Sequence, residues 1–198
     1  VEVGATLEAA DGTTLGQPQQ REVFSGNLPP LLVFASTGSV LRSGDEAGLP
    51  VVGVNASEAD VEFFRVRPER YSAFFQRWRG TGERGSWELQ DIAKMADSVY
   101  ATRFALDSTP NERQVSHLPV QGIAELRDPG LFFAVMRRPG EFTSQYAATH
   151  FFVTDIGLHL RGYRDAMWVH AASLASGHPR SGIRLELRDD KGRLLAEA

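Results

Sequence analysis

Ala148-Thr149-His150-Phe151-Phe152-Val153-Thr154-Asp155-Ile156-Gly157-Leu158, then Ser173-Leu174-Ala175-Ser176-Gly177-His178-Pro179, then Ile183-Arg184-Leu185-Glu186-Leu187-Arg188-Asp189-Asp190-Lys191-Gly192 run through the last quarter of this chain. They read as two strands, a corner and a strand pair turning on Asp189-Asp190-Lys191-Gly192. Ile183, Leu185 and Leu187 alternate with Arg184, Glu186 and Arg188, so one face is expected to pack and the other to meet water. Such a segment starts a β-sandwich, yet two or three strands bury no core of their own. The segment is therefore expected to be the opening of a domain, and the chain a piece of something longer.

Working back toward the N-terminus, the same grammar recurs. Leu31-Leu32-Val33-Phe34, Val51-Val52-Gly53-Val54 and Asp60 to Val66 are strand-like runs, the first two separated by a glycine-rich loop over 43–48. The third is apolar on both faces and is expected to be covered on both. Pro68 then opens a helix, at the position where a missing N–H costs nothing. Tyr71, Phe74, Phe75 and Trp78 follow at i, i+3, i+4 and i+7, a single apolar stripe. Ser86 is placed to cap a second helix, with Leu89, Ile92, Ala93 and Ala96 on one side. Strand signals return at 99–106, 113–120, 131–136 and 147–153, punctuated by Asn111, Asp128-Pro129-Gly130 and Pro139-Gly140. The expected fold is mainly β. An antiparallel β-sandwich of about seven strands spans 28–153, with a small helical insertion at 68–97 packed on it. Residues 1–27, with a hairpin signal at Ala10-Asp11-Gly12 and a short run at Glu22-Val23-Phe24, are read as the end of a preceding domain or a connector. Residues 154–198 are read as the first strands of a following one.

Composition narrows the function. A net charge of −4 with 21 scattered basic residues gives no clustered basic face, so no nucleic-acid partner is expected. The chain has no cysteine, which removes disulfides, thiolate metal sites and a cysteine nucleophile. No apolar run approaches the ~18 residues of a membrane helix, so no membrane contact is expected from this segment. The N-terminus lacks a basic-then-apolar leader, and the chain is read as mature or excised.

Candidate chemistry is thin. Gly80-Thr81-Gly82-Glu83-Arg84-Gly85 matches GxGxxG, but a helix rather than a strand feeds it and Glu83 would repel phosphate, so a flexible inter-helix loop is favoured. The five histidines, His117, His150, His159, His170 and His178, form neither HxH nor HExxH. His150 and His170 are read as half-buried structural residues, and His178 as solvated in its turn. Asp155 is assigned to a local turn hydrogen bond, and Asp189-Asp190 to an exposed turn rather than a calcium loop. Phe63, Phe64, Phe74, Phe75, Trp78 and Trp87 are assigned to helix-on-sheet packing rather than a ligand groove. There is no GxSxG and no SxxK. No catalytic, cofactor-binding or metal-binding residue is assigned, and no cofactor is expected.

Several stretches together resemble the bacterial α2-macroglobulin family. They are Gly48-Leu49-Pro50-Val51-Val52-Gly53-Val54-Asn55 with Asp60 to Val66, Pro129 to Met136, Thr149 to Leu158, and Ser173 to Gly177 running into Asp189 to Gly192. The resemblance implies macroglobulin-like sandwich domains strung as a scaffold, in a protein that traps proteases after they cut a bait segment. It implies a periplasmic, cell-envelope location, with lipid anchoring of the parent to the inner membrane as an option. Its implied partners are the trapped proteases and the neighbouring domains of the same chain. Neither a Cys-x-Glu-Gln thioester motif, nor a long bait-like segment, nor a lipobox stands in these residues, so the segment alone is expected neither to hydrolyse substrates nor to inhibit proteases. The alternative is a sandwich module of a surface adhesin, with the aromatic helices as its ligand face.

Overall fold

Alternating and continuous apolar runs form strands here because β-branched and aromatic side chains fill both faces of a pleated layer. In the computed structural model, residues 1–23, 26–36, 38–41, 48–78, 82–141 and 144–198 are described. In chain order the strands are β1 (Glu2–Val3), β2 (Gln19–Gln20), β3 (Leu31–Phe34), β4 (Ser39–Leu41), β5 (Leu49–Val54) and β6 (Glu58–Val66). Helix α1 (Tyr71–Arg77), β7 (Gly82–Gly85), helix α2 (Ser86–Ala93), β8 (Ala96–Ala105) and β9 (Arg113–Leu118) come next. The chain ends with β10 (Gly130–Arg137), β11 (Gln145–Val153), β12 (Ile156–Gly162), β13 (Met167–Ser173), β14 (Glu186–Arg188) and β15 (Leu194–Glu197).

Two of the sheets make a sandwich. One has the order β3-β5-β9 and is antiparallel; the other runs β4-β11-β10-β6-β8, with β7 also paired to β11. β7 lies antiparallel against 145–148 and β4 parallel against 151–153, so the two short strands share the length of β11. Between the sheets, Leu49, Val51, Val61, Phe63, Leu118, Phe132, Met136 and Phe151 are fully or almost fully buried. At about 1.5–3 kcal/mol for each large apolar side chain removed from water, this layer dominates the stability of the sandwich. Thr149 and Ser116 are buried polar residues on the inner face: the Thr149 hydroxyl donates to the Ser36 carbonyl at 2.8 Å, and Ser116 Oγ accepts from the Asp107 N–H at 2.9 Å.

The larger sheet is covered on its other face as well. Val66, Leu131, Phe133 and Ala148 meet Phe74 and Trp78 of the α1 segment and Leu89 and Ile92 of α2 in a second core. Phe64 stacks on Phe133 with ring centroids 4.5 Å apart, and Phe74 stacks on Trp78 at 5.1 Å. The order is thus sheet, sheet, helices, and the two-faced reading of β6 holds. Pro68 does open the helical segment, as the first residue of a 3-10 turn that runs into α1.

Several details differ from expectation. The helix pair ends at Ala93, and Ala96 and Asp97 already belong to β8, because 96–97 pair with Val66 and Arg65 of β6. Gly85, not Ser86, occupies the capping position of α2, and no side chain caps it. Nine strands, not seven, are described between 28 and 153, since β4 and β7 are too short to show an alternation. The 43–48 loop lies outside the described residues except for Gly48, as does Phe24 of the 22–24 run.

At the entrance to the sandwich, Asn55 and Asn111 both adopt left-handed backbone and bond each other: the Asn111 N–H donates to Asn55 Oδ1 at 2.7 Å. The same pair holds Leu28, through Asn55 Nδ2 to its carbonyl and Asn111 Oδ1 from its N–H, each at 2.8 Å. Before this knot, β1 and β2 form a small exposed pair with a turn at Gly12. After Val153, β12–β13 and β14–β15 are separate two-stranded sheets, and neither large core draws a residue from 154–198. The alternating face is therefore only partly packed: Ile183 and Leu185 are half-buried outside any strand, and Leu187 is exposed.

Candidate functional site

The helical layer is where polar chemistry and buried surface meet. Residues 79–81 of the glycine motif lie outside the described residues, but Gly82–Gly85 is strand β7, not a flexible loop. The physical reason is Arg84. Its guanidinium lies 4.2 Å from the centroid of the Trp78 ring, is 4% exposed, and pairs with Glu88 one turn into α2. A stacked, ion-paired guanidinium draws the segment onto the edge of β11. His150 of β11 completes the cluster, edge-on to Phe74, Phe75 and Trp78 at 5.4–6.1 Å. Burial, and secondarily the charge of Arg84, hold its imidazole below the ordinary histidine value.

Beside this cluster, α2 and the outer sheet face leave a groove of about 830 Å³. Phe64, Phe133, Val135 and Leu89 supply its apolar lining, and Asp60, Arg103 and Arg137 its polar end. Arg103 grips Asp60 at 2.7 and 3.2 Å and lowers that carboxyl from its usual range, while Arg137 stands 4.0 Å from the same carboxylate. Glu62 on its wall accepts from Ser98 Oγ at 2.7 Å.

The other residues singled out in the sequence are scattered. His117, His159, His170 and His178 are exposed, and His170 is thus not the half-buried residue expected, because its side of the β12–β13 hairpin faces no other layer. Asp155 does more than a local turn: it accepts from Arg180 at 2.7 Å, Ser173 Oγ at 2.8 Å and the Ala175 N–H at 2.9 Å, tying the 173–180 corner to the end of β11. These donors, Arg180 foremost, lower its carboxyl pKa. Asp189 accepts from the Lys191 and Arg193 amides and the Arg193 side chain, so most of its acceptor capacity is used within the turn. No group of three or more His, Asp or Glu side chains that could hold a metal occurs among the described residues. Of the six aromatics assigned to packing, Trp87 is 82% exposed and Phe75 42% exposed. With Leu89 and Ile92 facing the sheet, position 87 falls on the far side of α2. Sequence reasoning missed Arg84, which reads as one more charge in a glycine-rich stretch.

Comparison with known proteins gives a consistent picture. Residues 33–151 match the model of the bacterial alpha-2 macroglobulin MG2 domain, and 153–198 match that of the bacterial alpha-2-macroglobulin MG3 domain. An alpha-2-macroglobulin of Xylella fastidiosa strain 9a5c is 45% identical over 202 residues, covering 98% of this chain and 12% of the relative. The crystal structure of native alpha-2-macroglobulin from Escherichia coli spanning domains NIE-MG1 superposes with a TM-score of 0.75 at 34% identity, covering 88% of this chain and 84% of that one. The trypsin-activated Escherichia coli protein gives 0.76 at 35% identity, covering 85% of this chain and 12% of that one. The chain spans about 12% of the length of the curated relatives it matches.

Proposed function

The chain belongs to the bacterial α2-macroglobulin family, and from that membership we propose that it serves as a scaffold segment of a broad-spectrum protease trap. In this reading a protease cuts a bait elsewhere in the parent, the domains close around it, and residues 1–198 transmit and brace that movement without chemistry of their own. Residues 28–153 are the complete sandwich; 1–27 belong to its predecessor or connector, and 154–198 begin its successor. The parent works in the periplasm or cell envelope, its partners being the trapped protease and the neighbouring domains.

The observation that carries this reading is a coincidence of boundaries. The last residue of either core is Val153, and the two family models meet at the same place. A rigid block joined at such a seam is suited to rotate as a unit, which a collapsing scaffold requires. The adhesin alternative needs the aromatic helices as a ligand face; Phe74 and Trp78 are packed into the second core, which leaves only Trp87 and the half of Phe75 that is exposed for such a face. Cleavage of a large protein substrate by trypsin tests the proposal. A molar excess of this chain should leave the rate unchanged, and the full-length parent should depress it. No depression by the parent would overturn the reading.

A further inference from the structure

We propose that His150 is a proton-operated latch: uptake of a proton by its imidazole loosens α1, β7 and α2 from the sheet while the two-sheet sandwich stays closed. His150 lies on the outer face of β11, in register with Phe133 of β10, and it is roughly perpendicular to the rings of Phe74, Phe75 and Trp78 around it. Its Nδ1 is buried with no hydrogen-bond partner among the described residues. A neutral imidazole tolerates such a site, since it behaves largely as a flat aromatic ring. An imidazolium must place two N–H donors and a full charge there, which burial makes costly.

Among the described residues, no carboxylate acts on the imidazole. The charge that acts on it is the Arg84 guanidinium on β7, of the same sign as a protonated imidazole. Its carboxylate partner, Glu88 of α2, is already committed to it. Glu83 of β7 is exposed, and Arg77 of α1 leans on Asp91 at 3.8 Å. On β10 the only charged residue is Arg137 at the far end, β4 carries none, and Tyr146 is the other titratable group on β11. A second cation here is repelled by the first, and moving the helical layer outward relieves both charges.

The effect is confined to one layer, because the core between the sheets contains no group that titrates near neutral pH. The sign follows from linkage. The imidazole is held neutral in the packed layer, whereas a freed one takes up a proton near its ordinary value of 6.5. The layer is therefore fully stable above that pH and weakens as pH falls below it, by up to about tenfold per pH unit for one proton.

Hydrogen exchange of the 198-residue chain at pH 7.5 and 5.0, corrected for intrinsic exchange rates, tests the latch. Amides of α1 and α2 should lose roughly ten- to thirtyfold in protection relative to β5 and β9. The difference should vanish in His150→Phe and persist in His170→Gln. Equal loss in both layers, or an unchanged loss in His150→Phe, overturns the proposal. Should His150→Phe fail to fold, the His150 imidazole of the unmodified chain can be titrated by NMR. A midpoint well below 6.5, with α1 and α2 shifts moving together, supports the latch; a midpoint at or above 6.5 overturns it.

Discussion

Phe74 and Trp87 belong to the same helical layer and predict opposite outcomes. Phe74 is fully buried between Trp78 and Phe133, so Phe74→Ala should cost about 3–5 kcal/mol. Trp87 stands in solvent, and Trp87→Ala should change stability by no more than about 0.5 kcal/mol. Urea unfolding separates the two; equal midpoint shifts would contradict the packing described. Asp155 carries a pH prediction. Arg180, Ser173 and the Ala175 amide favour its charged form, so its contribution is present above the ordinary carboxylate value of 3.8 and is lost as pH falls through that value toward the lower folded one. As pH falls below 3.8 the Ala175 amide should become exchangeable, and in Asp155→Asn it should be weakly protected already at pH 7. An acid response unaltered by that substitution would remove Asp155 from the corner. Phe74 was legible from its i, i+3, i+4 spacing. Arg84 and the reach of Asp155 were not, because each acts on partners that local pattern does not reveal.

At the level of elements, the long strands were readable and the short ones were not. β6, β10 and β11 carry eight or nine residues with apolar side chains on both faces, which only a doubly covered strand needs. β7, Gly-Glu-Arg-Gly, has no alternation to read; it is a strand because Arg84 anchors it, a tertiary cause overriding propensity. The β12–β13 hairpin shows the reverse case. Its pattern is plain, with Leu158, Leu160 and Met167 on one side, but that side is open to solvent. A two-stranded ribbon with an uncovered apolar face is marginal. Adding the residues that follow position 198 in the parent should therefore raise hydrogen-exchange protection across 168–173. Equal protection in both lengths would show that the hairpin needs no further strands.

Across the whole molecule, one sheet of the sandwich is packed on both faces, while 1–27 and 154–198 contribute no residue to either core and the 189–192 turn rests on α1, where the Asp190 carbonyl accepts from Gln76 Nε2. The overall class was visible in strand spacing and turn residues; the order of layers was not, because which sheet face the helices choose depends on contacts far apart in sequence. The central claim is that capture belongs to the assembled parent and not to this segment. The direct measurement compares trypsin acting on a large protein and on a small chromogenic peptide, with either the parent or the 198-residue chain in molar excess. With the parent, cleavage of the large substrate should fall while that of the small one continues, as enclosure rather than active-site blockage demands; with the chain alone, neither rate should change. Loss of both activities at stoichiometric chain would contradict the account and point to substrate-like inhibition, for which 79–85 would be the first segment to mutate.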